Sequence, residues 1–138
     1  RSAKWKTYVL MSDGEMQEGS NWEALMFAAH HKLDNLIVVI DYNNLQSLTT
    51  VDDTLSIQPL NKKLHSFGWY VLEVDGHNHN ALRNCFEKAE LIKNQPTIII
   101  AKTIKGKGVS FMENKVEWHY KSPTKGEFQN AFSEIENA

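Results

Sequence analysis

The stretch TYVLMSDGEMQEGSNWEALMFAAHHKLDNLIVVIDYNN, residues 7–44, decides the fold of this chain. It opens with an apolar run, Thr7 to Met11, that is too short for a helix and ends in the polar turn Ser12-Asp13-Gly14. Such a run before a turn predicts a buried β-strand, with the turn at its carboxyl end.

A helix and a second strand complete this stretch. The Ser-x-x-Glu pattern from Ser20 to Glu23 has the form of a capping box and is followed by apolar residues at helical spacing, which predicts a helix over residues 21–33. The run from Leu36 to Ile40 is apolar without alternation, as in a parallel strand covered on both faces. It ends at Asp41-Tyr42-Asn43-Asn44.

The same rhythm continues along the chain. The predicted elements are a short helix Pro59–Phe67, a strand Trp69–Val74, a helix Leu82–Ile92, a strand Thr97–Thr103, a loop Ile104–Lys121 and a last helix capped by Thr124 and Glu127. We expect His77 and His79 to serve the entry of the helix that follows them. Alternating strands and helices predict an α/β fold, a parallel sheet with helices on both faces.

Composition narrows the class of protein. A chain of 138 residues with 41% hydrophobic residues is long enough for one core, so we treat residues 1–138 as a single domain. The formal charge is −2 and the basic residues are scattered, so we expect no nucleic-acid partner. A single cysteine, Cys85, and the lack of a long apolar run predict a cytoplasmic protein without a membrane span.

Two polar turns fall where parallel α/β sheets bind ligands, outside the carboxyl ends of the strands. Asp13 offers a carboxylate, Asn43 offers an amide oxygen, and the turn after Asn43 can expose a backbone oxygen. Three hard oxygen ligands suit Mg²⁺ or Ca²⁺, and a diphosphate would complete the shell. Gly14 would let its backbone N–H approach that anion, and His119 could help to balance its charge. Taken singly, either turn could be an ordinary turn.

Several segments closely resemble the thiamine diphosphate motif of transketolases. They are residues 12–19 (SDGEMQEG), 31–36 (HKLDNL), 41–44 (DYNN), 74–77 (VDGH), 102–114 (KTIKGKGVSFMEN) and 118–119 (WH), so the resemblance covers nearly the whole chain. The amino-terminal subunits of split bacterial transketolases look most similar. Pyruvate-type dehydrogenases and deoxyxylulose phosphate synthases share only the general motif.

The resemblance implies a role for individual residues. It implies that Asp13 and Asn43 bind the metal through their side chains and Leu45 through its main-chain oxygen. It also implies that Gly14 and His119 contact the diphosphate, and that His119 lies near the donor sugar. Lys105 to Gly108 would form a loop that closes over thiamine diphosphate. Glu18 and Glu23 would belong to a subunit-interface network that shares a proton.

Simpler roles stay open for these residues. His119 could be a solvated loop histidine, Glu23 could act as the third helical residue of the capping box, and Glu18 could be an exposed loop charge. Lys105 and Lys107 could belong to a mobile loop with solubilising charges.

The chain also departs from the family pattern. Ser12 stands where transketolases normally have glycine, and the segment that precedes this motif in the family, like the pyrimidine-binding domain with its catalytic glutamate, is not in residues 1–138. We therefore expect a truncated or split part of an oligomeric transketolase that acts on sugar phosphates together with a complementary subunit. The open alternatives are another thiamine diphosphate enzyme and a non-catalytic assembly module. We also expect an exposed sheet edge or apolar face.

Overall fold

The computed structural model describes residues 5–137 and contains a four-stranded parallel sheet in the order β1-β2-β4-β3. The strands are β1 (Thr7–Ser12), β2 (Leu36–Tyr42), β3 (Tyr70–Asp75) and β4 (Thr97–Lys102). The α-helices are α1 (Gly19–His30), α2 (Val51–Leu55), α3 (Leu60–Ser66), α4 (His79–Leu91) and α5 (Lys125–Glu136), with 3-10 helices at Gly14–Gln17 and Val116–His119. The predicted α/β fold is confirmed.

Helices lie on both faces of the sheet because the side chains of a strand alternate between the faces. Val38 and Ile40 of β2 pack with residues of α1, α2 and α3, on what we call the α1 face. Ile37 and Val39 point the other way and pack with residues of α4, on the α4 face. Within residues 5–137 no helix has both the length and the apolar character needed to cross a bilayer.

The prediction that β1 is buried is wrong. β1 pairs only with β2, at the edge of the sheet, and Tyr8 and Leu10 are 48% and 74% exposed on the α4 face. Helix α4 packs against β3 and β4. From β1, the Tyr8 side chain reaches it, with its ring 6.0 Å from that of Phe86 and its hydroxyl donating to Glu90 at 2.7 Å. The expected exposed apolar face is therefore present, beside β1.

The predicted capping box at Ser20 and Glu23 is also wrong. Helix α1 starts at Gly19, two residues early, because the 3-10 helix leads directly into it and Glu18 becomes its N-cap. The carbonyl of Glu18 accepts from the N–H of Asn21 at 3.2 Å, and Ser20 lies inside the first turn. By contrast, the capping box of Thr124 and Glu127 on α5 is confirmed.

The other predicted boundaries are off by at most three residues, and one α-helix was not predicted. Helix α1 ends at His30 rather than at residue 33, because Lys32 adopts a left-handed φ of 51° and Leu33 packs on the core from the turn that follows. The helix that was not predicted is α2, which lies in the segment between Asn44 and Pro59 and buries Val51.

Candidate cofactor site at the carboxyl edge of the sheet

The two polar turns predicted to be neighbours are neighbours. β1 and β2 pair in parallel, with Ser12 opposite Asp41, so Asp13 and Asn43 follow adjacent strand ends. The N–H of Asp13 donates to the carbonyl of Asp41 at 3.2 Å, which extends the pairing one step into the turns.

The Asp13 carboxylate is fully buried at this junction. One oxygen accepts from the N–H of Gly14 at 2.8 Å and the other from the N–H of Asn44 at 2.5 Å. Burial raises the pKa of Asp13, the backbone N–H groups of Asn44, Gly14 and Asn43 oppose that rise, and the Asp41 carboxylate adds to it. No lysine, arginine or histidine among residues 5–137 forms an ion pair with Asp13, and its hydrogen-bond partners in this range are backbone N–H groups.

The turn after β2 presents further oxygen atoms. The amide oxygen of Asn43 accepts from the N–H of Leu45 at 2.9 Å and keeps a second lone pair for another partner. Leu45 and Thr50 form an isolated antiparallel bridge. Its two hydrogen bonds run from the N–H of Val51 to the carbonyl of Asn44 and from the N–H of Gln46 to the carbonyl of Thr49, so neither uses the carbonyl of Leu45.

These residues fit a hard cation. A buried carboxylate without a cationic partner, an amide oxygen and an unused carbonyl are the donors that Mg²⁺ and Ca²⁺ take, and phosphate oxygens complete such shells. The side-chain oxygen of Asn44 is buried and has no hydrogen-bond partner in the described part of the chain. Residues 5–137 contain no cluster of three or more His, Cys, Asp or Glu side chains, the donor set expected of a zinc site.

A cavity of about 730 Å³ opens at the ends of β2 and β4. Its walls include Asn43, Lys105 and His77, together with Asp41 and Thr103, whose side chains are hydrogen-bonded to each other. This volume lies in the range of ligand pockets. A second cavity, of about 600 Å³, lies near Trp22 and Phe67 and includes none of the predicted site residues.

The loop after β4 borders this cavity and is held by its own hydrogen bonds. Lys105 accepts from the N–H of Asn114 at 3.0 Å, and the Glu113 carboxylate accepts from the N–H of Gly108 at 3.0 Å. The pKa of Glu113 is lowered, mainly by the hydrogen bond from the Gly108 N–H and to a smaller extent by the Lys107 ammonium 3.4 Å away. We call Ile104–Asn114 the lysine loop.

Gly14, His119, Glu18 and Glu23 are not among the residues that line this cavity. The N–H of Gly14 already donates to Asp13, so contact of Gly14 with a diphosphate stays a prediction. His119 ends a 3-10 helix and is exposed, but the hydroxyl of the next residue, Tyr120, donates to Ser47 at 2.7 Å and ties that helix to the turn after β2. Glu18 and Glu23 are exposed along α1 and do not line the cavity.

Three residues that line the cavity were not predicted from the sequence. Asp41 and Thr103 meet only because β4 inserts beside β2, which no local pattern in the sequence reveals. His77 was assigned to helix entry, but Asn78 is the N-cap of α4 and the ring of His77 accepts from the lysine loop.

Fold and geometry together define an α/β domain with a candidate ligand site at the carboxyl edge of a parallel sheet, where such sheets commonly bind ligands. Residues 2–131 match the family model described as transketolase, thiamine diphosphate binding domain. The chain belongs to this family.

Relatives and solved structures agree with this assignment. The chain is 44% identical over 137 residues to an apulose-4-phosphate transketolase subunit of Actinobacillus succinogenes, covering 98% of the chain and 49% of that protein. It is 40% identical over 133 residues to human transketolase, covering 96% and 21%. The crystal structure of Campylobacter jejuni transketolase matches with a TM-score of 0.89 and 30% identity, covering 96% of the chain and 21% of that structure. The chain thus spans about half of the Actinobacillus protein and about a fifth of the longer ones.

Proposed function

We propose that this chain forms the diphosphate- and metal-binding part of a thiamine diphosphate site in a transketolase-like transferase. The enzyme would move a two-carbon ketol unit from a ketose phosphate to an aldose phosphate. The observation that supports this most is the buried Asp13 carboxylate against the Asn43-Asn44 turn, at neighbouring strand ends, in a chain of this family.

The residues of this chain would bind and orient the cofactor. The Asp13 and Asn43 side chains and the Leu45 carbonyl would hold Mg²⁺, or Ca²⁺, which in turn would hold the diphosphate. Gly14, Lys105 and His119 would contact the cofactor or the sugar beside it. When bound, thiamine diphosphate supplies the nucleophilic carbon that attacks a ketose carbonyl.

We further propose that the site is completed by a complementary subunit or segment with the pyrimidine-binding domain, in a homo- or hetero-oligomer. Support comes from relatives about twice as long as this chain, whose names describe them as single subunits of a transketolase. Exposed Glu18 and Glu23 would then meet that partner along α1. A cytoplasmic location stays a prediction.

Calorimetry of the assembled enzyme with thiamine diphosphate and Mg²⁺ tests the cofactor site. We expect Asp13→Asn to weaken cofactor binding at least about tenfold, because second-shell and ligand changes at metal sites commonly cost that much. Glu87→Gln, which makes the same chemical change at an exposed position on α4, should leave binding as it is. Unchanged binding by Asp13→Asn would remove the metal assignment.

Product analysis tests the reaction. We expect transfer from a ketose phosphate to an aldose phosphate. Turnover of pyruvate instead would favour an oxo-acid enzyme, and cofactor-free assembly without turnover would favour a non-catalytic module.

A further inference from the structure

We propose that His77 is a positioning residue that fixes the start of the lysine loop beside the candidate cofactor site. Its Nε2 atom accepts the backbone N–H of Ile104 at 2.7 Å, across 27 positions of sequence. His77 lines the same cavity as Asn43 and Lys105. The role of His77 in fixing the loop does not depend on the proposed function; the identity of the ligand beside the loop rests on it.

The turn Asp75-Gly76-His77 is built to place this ring. The N–H of Gly76 donates to the carbonyl of Lys102 at 2.8 Å, and a Cβ on Gly76 would lie 2.4 Å from Cγ2 of Thr103. Only glycine therefore lets the turn lie directly on the end of β4. The N–H of His77 in turn donates to the Asp75 carboxylate at 2.9 Å, which fixes the backbone that carries the ring.

Ile104 is the point where β4 becomes the lysine loop. Its carbonyl accepts from the N–H of Lys107 at 3.2 Å, in the turn that carries Lys105. The far end of the loop is closed separately, by the bond from Asn114 to the carbonyl of Lys105. His77 thus connects the first residue of the loop to the end of β3 and sets where Lys105 enters the cavity.

The chemistry of the bond fixes the state of the ring. An Nε2 atom that accepts a hydrogen bond carries no proton, so the ring must be neutral with its proton on Nδ1. A glutamine amide reaches about as far as Nε2 and can also accept, whereas an asparagine amide reaches only as far as Nδ1. His77→Gln should therefore preserve the bond and His77→Asn should lose it, although both replacements are neutral amides.

Nuclear magnetic resonance of the chain without cofactor tests the bond itself. We expect the imidazole nitrogen signals of His77 to report the Nδ1–H tautomer. Loss of one hydrogen bond should make the Ile104 amide exchange about two- to tenfold faster in His77→Asn and His77→Phe, and His77→Gln should restore the original rate. His79→Phe, at the exposed first residue of α4, is the matched control. Equal exchange in all variants, or an Nε2–H tautomer, overturns the proposal.

Two further readouts separate positioning from a general loss of fold. Trypsin should cut at Lys105 and Lys107 faster in His77→Asn than in His77→Gln. The two variants should nevertheless unfold at the same urea concentration, which shows that the difference is local to the loop. In the assembled enzyme, the dissociation constant for thiamine diphosphate should rise in His77→Asn and recover in His77→Gln; an equal dissociation constant in the two variants overturns the positioning role. Failure of the unaltered enzyme to bind thiamine diphosphate would overturn the proposed function, while amide exchange would still decide the role of His77.

Discussion

The two faces of the sheet are covered to different extents. Among residues 5–137, the core cluster on the α1 face contains 12 buried residues from four helical segments, two strands and the connections between them, whereas the cluster on the α4 face contains five. Helix α4 lies over β3 and β4 and leaves Leu10 of β1 exposed. Stability should therefore depend mainly on the α1 face, and association on the uncovered part of the α4 face.

The largest change in the free energy of unfolding is expected in the core of the α1 face. Leu64→Ala removes a fully buried side chain of α3 and should lower the free energy of unfolding by about 2–5 kcal/mol, through lost burial and the cavity left behind. Urea titration followed by circular dichroism measures this. Leu91→Ala, at a position on α4 that is 76% exposed, is the control and should change it by less than about 0.5 kcal/mol. Similar losses in both variants would contradict the burial of Leu64 in the core of the α1 face.

A smaller effect is expected at the edge of the α4 face. Gly76→Ala places a methyl group against the branched side chain of Thr103 and should cost about 1–3 kcal/mol as the turn moves away from β4. The same urea titration applies. Gly126→Ala in α5 meets no atom within 4 Å and should be neutral or stabilising by up to about 1 kcal/mol. Tolerance of alanine at both positions would show that the turn does not press on β4.

A substitution on the uncovered part of the α4 face should hardly change the stability of the chain. Leu10→Ser should change the free energy of unfolding by no more than about 0.5 kcal/mol, because the side chain is already mostly in water. The same change should reduce fluorescence of a dye that binds apolar surface and raise solubility. A loss of more than about 1 kcal/mol in dilute chain would mean that this surface is covered in solution.

The smallest effect is expected in α5, which contributes no residue to either cluster. Hydrogen bonds from the Lys121 ammonium, and then from the backbone and hydroxyl of Thr124, lower the pKa of Glu127 to about 2. A pKa lowered by folding stabilises the native state above the unfolded value of 4.5, and this contribution is lost as pH falls toward 2. The urea midpoint of Glu127→Gln should thus lie slightly below that of the unaltered chain at about pH 6 and converge with it near pH 2. A constant difference across that range would exclude the carboxylate as the cause.

The sequence predicted those features that depend on local periodicity. The four strands, the parallel α/β class and the capping box of α5 were each visible in runs of apolar residues or in spaced Ser/Thr and Glu residues. The adjacency of Asp13 and Asn43 followed from the rule that sequential strands usually pair.

Features set by tertiary neighbours were not predictable in this way. The exposure of β1 depends on where α4 lies, and the start of α1 depends on a 3-10 helix that continues into it. The bond between His77 and Ile104 joins two loops that become neighbours only when β4 lies beside β3. The roles of Glu18, Glu23 and His119 were not testable from local pattern, because their proposed partners are a ligand and another chain.

The strand order also constrains how the chain acquires its structure. Among the four strands of residues 5–137, β4 is the last in sequence and lies between β2 and β3, so β3 can pair with none of the other three until residues 97–102 have been synthesised. Until then the nascent chain presents unpaired edges and the apolar residues destined for both core clusters, a situation that favours aggregation and recruits chaperones. Completion of the four-stranded sheet therefore waits for β4, and so does the cavity at the ends of β2 and β4, whereas the Asp13 and Asn43 turns need only the pairing of β1 with β2.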